Sequence, residues 1–187
     1  MPIHAAGVYD GPSQECCSDY VVSSYTPTLT ALLRARENVR ALTPERTTVL
    51  AIAAEHAQDT SMPPLRHVAQ EAQHVLDIAT RSGATASSLG EQAPRTEALA
   101  ALQAANVVHL ACHGIQHRSE PHKSRFCLST GNITVAELMD LDLRDAFFAF
   151  LGACETAKGA QAHADEVVHL AATMLFVGFK SVVATMW

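Results

Sequence analysis

The sequence predicts an α/β fold, a mostly parallel sheet with helices on both faces. Three observations carry this reading. Strand-like and helix-like segments alternate along the chain. The strand cores are near-continuous apolar runs rather than in/out alternations, the pattern of strands buried on both sides. No repeat, low-complexity tract or linker interrupts the 187 residues, a length that suits one domain with a substantial core.

The elements follow in order. Residues 1–19 read as an irregular N-terminal segment, broken by Gly7, Gly11 and Pro12. Residues 20–25 (YVVSSY) form a short β-type run. Thr26 and Pro27 resemble an N-cap with proline at the first helical position, opening a helix over 29–39. A buried strand is expected over 47–53 (TTVLAIA). Pro63 and Pro64 precede a helix over 65–79, whose apolar residues recur at close to 3.6-residue spacing. Gly83 ends it, a weak strand follows over 84–89, and Pro94 starts a helix over 94–105. The run VVHLAC (107–112) is a strand containing one histidine. After a polar loop over 115–123, residues 125–130 and 131–133 suggest a small hairpin. Thr134 and Glu137 have the spacing of a capping box. The run 146–153 is the most apolar strand; a polar loop over 155–164, a helix over 165–179 and a final strand over 181–187 complete the chain. Because this last strand looks interior, the chain is expected to be truncated at its C-terminus, with further sheet in the intact domain.

Composition narrows the function. Thirteen Lys and Arg against nineteen Asp and Glu give a net charge of −6, and there is no basic block, so a nucleic-acid partner is not expected. The sequence contains neither a membrane-length apolar run nor a secretory signal. Five cysteines in loose spacing, without a signal, suit free thiols in the cytoplasm.

Two apolar runs end in reactive side chains: VVHLACHG (107–114) and AFLGACETAKG (149–159). In open α/β sheets ligands bind outside the carboxyl ends of the strands, so His113 and Cys154 can share one crevice. A free thiol is only a few per cent thiolate at neutral pH. A neighbouring imidazole can assist its attack and then protonate the leaving amine. Gly114 and Gly152 leave room for a substrate backbone, and the backbone N–H groups of Gly114 and Cys154 are candidate oxyanion donors. His109 shares a strand face with His113 and is a rival base, though packing inside the core is the expected role. Cys112 should point the other way, as a packed small hydrophobe. The cluster His109, Cys112, His113, His117 and His122 lacks the paired spacing of a zinc motif.

The order and content of these blocks resemble the CHAT domain, a branch of the caspase–separase cysteine peptidase clan. VVHLACHG and FLGACETAKG resemble its His-Gly and Ala-Cys motifs, and YVVSSYTPTL (20–29), the 165–179 block and SVVATMW (181–187) resemble further segments in the same order. The resemblance covers residues 20–187. It implies a caspase-like α/β/α sandwich, with His113 as general base and Cys154 as nucleophile. The reaction it implies is peptide-bond hydrolysis through a thioester, with no metal or organic cofactor. It also implies a protein or peptide substrate and a helical-repeat regulatory region in a longer parent protein; a membrane partner is not expected, because the sequence has no apolar run of spanning length. The alternative is a catalytically inactive interaction or regulatory module on the same fold. A glutamine amidotransferase ranks last, because Gly152-Ala153-Cys154-Glu155-Thr156 lacks the second glycine of that nucleophile turn.

Overall fold

The computed structural model describes residues 3–10, 15–26, 28–37, 41–117, 120–152 and 167–184. Helix α1 spans Leu29–Arg36, β1 Thr48–Ala53, α2 Val68–Arg81, β2 Thr85–Leu89, α3 Arg95–Ala104 and β3 Val107–Ala111. Three short strands follow, β4 His113–Ile115, β5 Arg125–Leu128 and β6 Gly131–Thr134, then α4 Val135–Met139, β7 Phe148–Leu151, α5 Val167–Val177 and β8 Ser181–Ala184.

The central sheet has the order β2-β1-β3-β7-β8, and every neighbouring pair is parallel. Its register aligns Leu50, Val108, Ala149 and Val182 in one row, and Ile52, Leu110, Leu151 and Ala184 in another. These side chains share a face by the two-residue strand period. They pack into one core with Ala98 and Leu102 of α3, Leu138 of α4, and Leu170 and Met174 of α5. The other face carries Val49, Ala51, His109 and Ala111, and α2 lies across β1, β2 and β3 there. The fold is therefore a three-layer α/β/α arrangement around a parallel sheet, as the apolar strand runs predict. No helix among the described residues is long and apolar enough to cross a membrane.

Strands β4, β5 and β6 form a separate antiparallel sheet at the carboxyl end of β3. Gly114, Phe126 and Ile133 lie opposite one another, and Phe126 and Ile133 enter the core. The alternate row, His113, Cys127 and Asn132, belongs to the other face.

Local chemistry sets several boundaries. Thr134 and Glu137 form the expected capping box: the Glu137 N–H donates to Thr134 Oγ1 at 3.2 Å and the Thr134 N–H to Glu137 Oε2 at 2.9 Å. Helix α2 closes in a Schellman turn, with Gly83 at φ +84°, its N–H on Thr80 O and the Ala84 N–H on Ala79 O. Helix α2 begins at Val68, not 65, because the Leu65 N–H is drawn back to Glu55 O at 2.8 Å.

Two expectations need correction. Residues 20–25 are not a strand: Tyr20, Val21, Val22 and Tyr25 are exposed, and no described strand pairs with them. Aromatic and β-branched residues favour a pleated surface only where a partner strand exists. The cap of α1 is Thr28, whose hydroxyl accepts from the Ala31 N–H at 3.0 Å, rather than Thr26. Thr26 Oγ1 instead donates to Thr28 O. Pro27 and the start of the helix expected at 165 lie outside the described residues, as do the loop expected over 155–164 and residues 185–187.

Candidate active site

Strands β1, β3 and β7 run parallel, so their carboxyl ends meet on one edge of the sheet. The Ala54 N–H donates to Ala111 O at 2.9 Å and the Gly152 N–H to Leu110 O at 2.8 Å, which knits the three strand ends together. His113 stands two residues past the end of β3, on this edge, and is 3% exposed. Its Nε2 lies 2.8 Å from Pro63 O, in the segment leading into α2. A carbonyl can only accept, so Nε2 carries the proton, and in the neutral ring the lone pair sits on Nδ1. The backbone of the β1–α2 connection thereby fixes both the orientation and the tautomer of the imidazole. Gly114 follows in β4, buried and opposite Phe126. Cys154, the expected nucleophile and second oxyanion donor, lies outside the described residues; Gly152, two positions before it, is described.

Gly152 has a different local reason from the one its sequence context suggests. A Cβ there would sit 3.3 Å from Leu110 O and 3.4 Å from Glu71 Oε1, so the position is crowded by the neighbouring strand and by α2. Small size at 152 lets the end of β7 lie close to β3.

The rival histidine has an identifiable environment. His109, 4% exposed, stacks on Phe150 with ring centroids 5.1 Å apart and planes at 26°. Its Nε2 is 3.1 Å from Glu71 Oε1, an ion-pair distance, but is not aligned for a hydrogen bond and has no hydrogen-bond partner. Burial pushes its pKa below the ordinary histidine value, against the opposing pull of Glu71. The structure thus packs His109 against α2, four residues before His113.

The other thiols near this edge are packed. Cys112 is fully buried in the core facing away from α2, and complete burial pushes its pKa far up. Cys127 lies opposite His113 across the β4–β5 ladder, 2% exposed, and burial raises its thiol too, only partly offset by Arg125. A buried thiol of raised pKa is a poor nucleophile. Among the described residues no three His, Cys, Asp or Glu side chains are grouped to hold a metal ion.

Two site features escaped the sequence reading. The Pro63 carbonyl is backbone and leaves no residue-type signal. Glu71 did leave one: a carboxylate one residue before buried Ala72 and three after buried Val68, at the border of the apolar stripe of α2.

A family model described as the CHAT domain matches residues 1–187. The chain belongs to the CHAT domain family, a family associated with caspase-like, cysteine-peptidase-type domains. Among solved structures, protein GSU0716 from Geobacter sulfurreducens is similar at TM-score 0.45 and 18% identity. That similarity covers 58% of this chain and 50% of that chain, so the match spans half of the GSU0716 chain. No curated protein matches the chain.

Proposed function

We propose that this chain is a cysteine endopeptidase domain in which Cys154 attacks the scissile carbonyl and His113 is the general base and acid. The observation that carries the reading is the Nε2–H bond from His113 to Pro63 O, on a buried imidazole at the carboxyl edge of the sheet. It holds the ring in the one neutral tautomer that leaves Nδ1 free as a base. In the reaction, Nδ1 takes the thiol proton as sulfur bonds to the carbonyl carbon. The oxyanion is held by backbone N–H groups, with Gly114 and Cys154 as candidates. Collapse breaks the C–N bond, the imidazolium protonates the departing amine, and water then hydrolyses the thioester with His113 again as base. The substrate is a protein or peptide.

The reading is tested with a thiol-directed peptidyl probe and mass-spectrometric mapping. Labelling should fall on Cys154, disappear in Cys154→Ala and slow in His113→Ala. Labelling that persists in Cys154→Ala sinks the assignment.

A further inference from the structure

Strand β5 carries a cation that the reaction above does not use. Arg125 lies opposite Ile115 and Thr134 in the small antiparallel sheet, one residue pair further along the ladder than Cys127 and His113. By the strand period it shares the face of His113, while Phe126 and Ile133 of the alternate row enter the core. Diagonal neighbours of this kind stand about 7–8 Å apart, within reach of a side chain as long as that of arginine. The donors of this guanidinium are underused. Its Nε is buried without a hydrogen-bond partner, and among the described residues no carboxylate forms an ion pair with it. Asp59, in the β1–α2 connection, lies close enough to feel its charge, but that carboxylate accepts from the Ser61 N–H at 3.0 Å and the Ser61 hydroxyl at 2.7 Å instead. The guanidinium rests against the thiol of Cys127, which burial keeps uncharged and which is a weak acceptor. Arg125 is partly exposed, so the side chain also reaches the surface. A guanidinium in this state is matched by a carboxylate, whose two oxygens fit its fork of donors. The direction of the substrate says which carboxylate. His113 protonates the departing amine, so the residues on the carboxyl side of the scissile bond pass on the His113 side of the site, towards β4 and β5.

We infer that Arg125 is a specificity-determining residue: its guanidinium receives an aspartate or glutamate side chain of the peptide substrate on the carboxyl side of the scissile bond. The inference rests on the peptidase reading above and assigns a substrate class to the His113 side of that site.

The test is cleavage of a peptide library, varied one position at a time on both sides of the scissile bond, by the full chain and its variants. Wild type should prefer Asp or Glu over Asn or Gln at one position on the carboxyl side. Arg125→Gln should lose that preference by about tenfold or more in kcat/KM, the scale of a charge-assisted hydrogen bond, while cleavage of the Asn and Gln peptides stays unchanged. Arg125→Lys, which keeps the charge but not the fork, should retain part of the preference, and Arg125→Glu should turn it towards Lys. Equal loss on acidic and neutral peptides, an acidic preference untouched by Arg125→Gln, or cleavage with no acidic preference overturns the inference and leaves the peptidase reading standing. Cys154 labelling without cleavage of any peptide also overturns the inference alone. Absence of both cleavage and Cys154 labelling overturns both.

Discussion

His113 and Pro63 are joined by a 2.8 Å hydrogen bond across 50 residues of sequence, and this contact sets the chemistry of the imidazole. The donor must be Nε2–H because a prolyl carbonyl only accepts. In 15N-labelled protein, the neutral His113 ring should show its proton on Nε2; an Nδ1–H tautomer would falsify the arrangement. His113→Ala should lower peptidase turnover by about 10²–10⁴-fold, the usual worth of a general base. It should also destabilise the fold by roughly 1–3 kcal/mol, because Pro63 O is left unsatisfied.

The second prediction concerns what holds His113 in place from behind. Phe126, 2% exposed, lies opposite Gly114 on β5 and anchors the small antiparallel sheet to the core shared by α3, α4 and α5. Phe126→Ala should cost about 3–5 kcal/mol, from lost transfer energy and the cavity left behind. Since β4 carries His113, the variant should also exchange the amides of residues 113–115 faster than those of β1. Urea denaturation measures the first effect and hydrogen exchange the second; unchanged protection of β4 would show that Phe126 does not support it.

The parts of this architecture legible from the chain are those decided by local pattern. The apolar runs now seen as β1, β3 and β7, the hairpin of β5 and β6, and the Thr134–Glu137 box each carry their signal within a few residues. Residues 20–25 carried an equally strong β signal, and it misled, because strand formation depends on a partner supplied elsewhere. The same holds at the site. His113 was legible as the last reactive side chain of an apolar run, and the parity that puts His109 on the α2 face, opposite Leu110 and Val108, follows from the strand period. Their partners are long-range: a carbonyl at 63 and a carboxylate at 71. Glu71 at the edge of a buried helix stripe was the readable hint, because a carboxylate packed against a sheet calls for a polar partner there.

The third prediction tests the turn that joins α5 to β8. Gly178 has φ +133°, and a Cβ there would lie 2.8 Å from Leu143 O and 3.3 Å from Leu143 Cβ. Both the backbone region and the space exclude a larger residue. Gly178→Ala should destabilise by about 1–3 kcal/mol from backbone strain alone, with the contact to Leu143 adding to it. The urea midpoint should fall at an unchanged m-value. Gly90→Ala is the control, since a Cβ there meets nothing within 4 Å and its φ is not in the left-handed range. An equal shift in both variants would remove the steric explanation.

The fourth prediction is a pH dependence. Glu91 ties the carboxyl end of β1 to the hairpin, accepting from the Glu55 N–H at 2.8 Å, the His56 N–H at 3.1 Å and Ser129 Oγ at 2.5 Å. Burial pushes its pKa up, but these hydrogen bonds together outweigh burial and hold it below the ordinary glutamate value. Glu137 follows the same logic: burial opposes, while the Thr134 N–H and hydroxyl and the Arg95 guanidinium prevail. With both folded-state values depressed, the unfolded chain takes up protons first as the pH falls. Their stabilisation is therefore complete above the unfolded value of about 4.3 and is lost as the pH drops through the lower folded values. Urea midpoints for wild type and Glu91→Gln should differ at about pH 7 and converge as the pH falls through the lowered folded-state value, below which the carboxyl is neutral in both states. A difference that stays constant across this range would mean that Glu91 acts through shape and not through its charge.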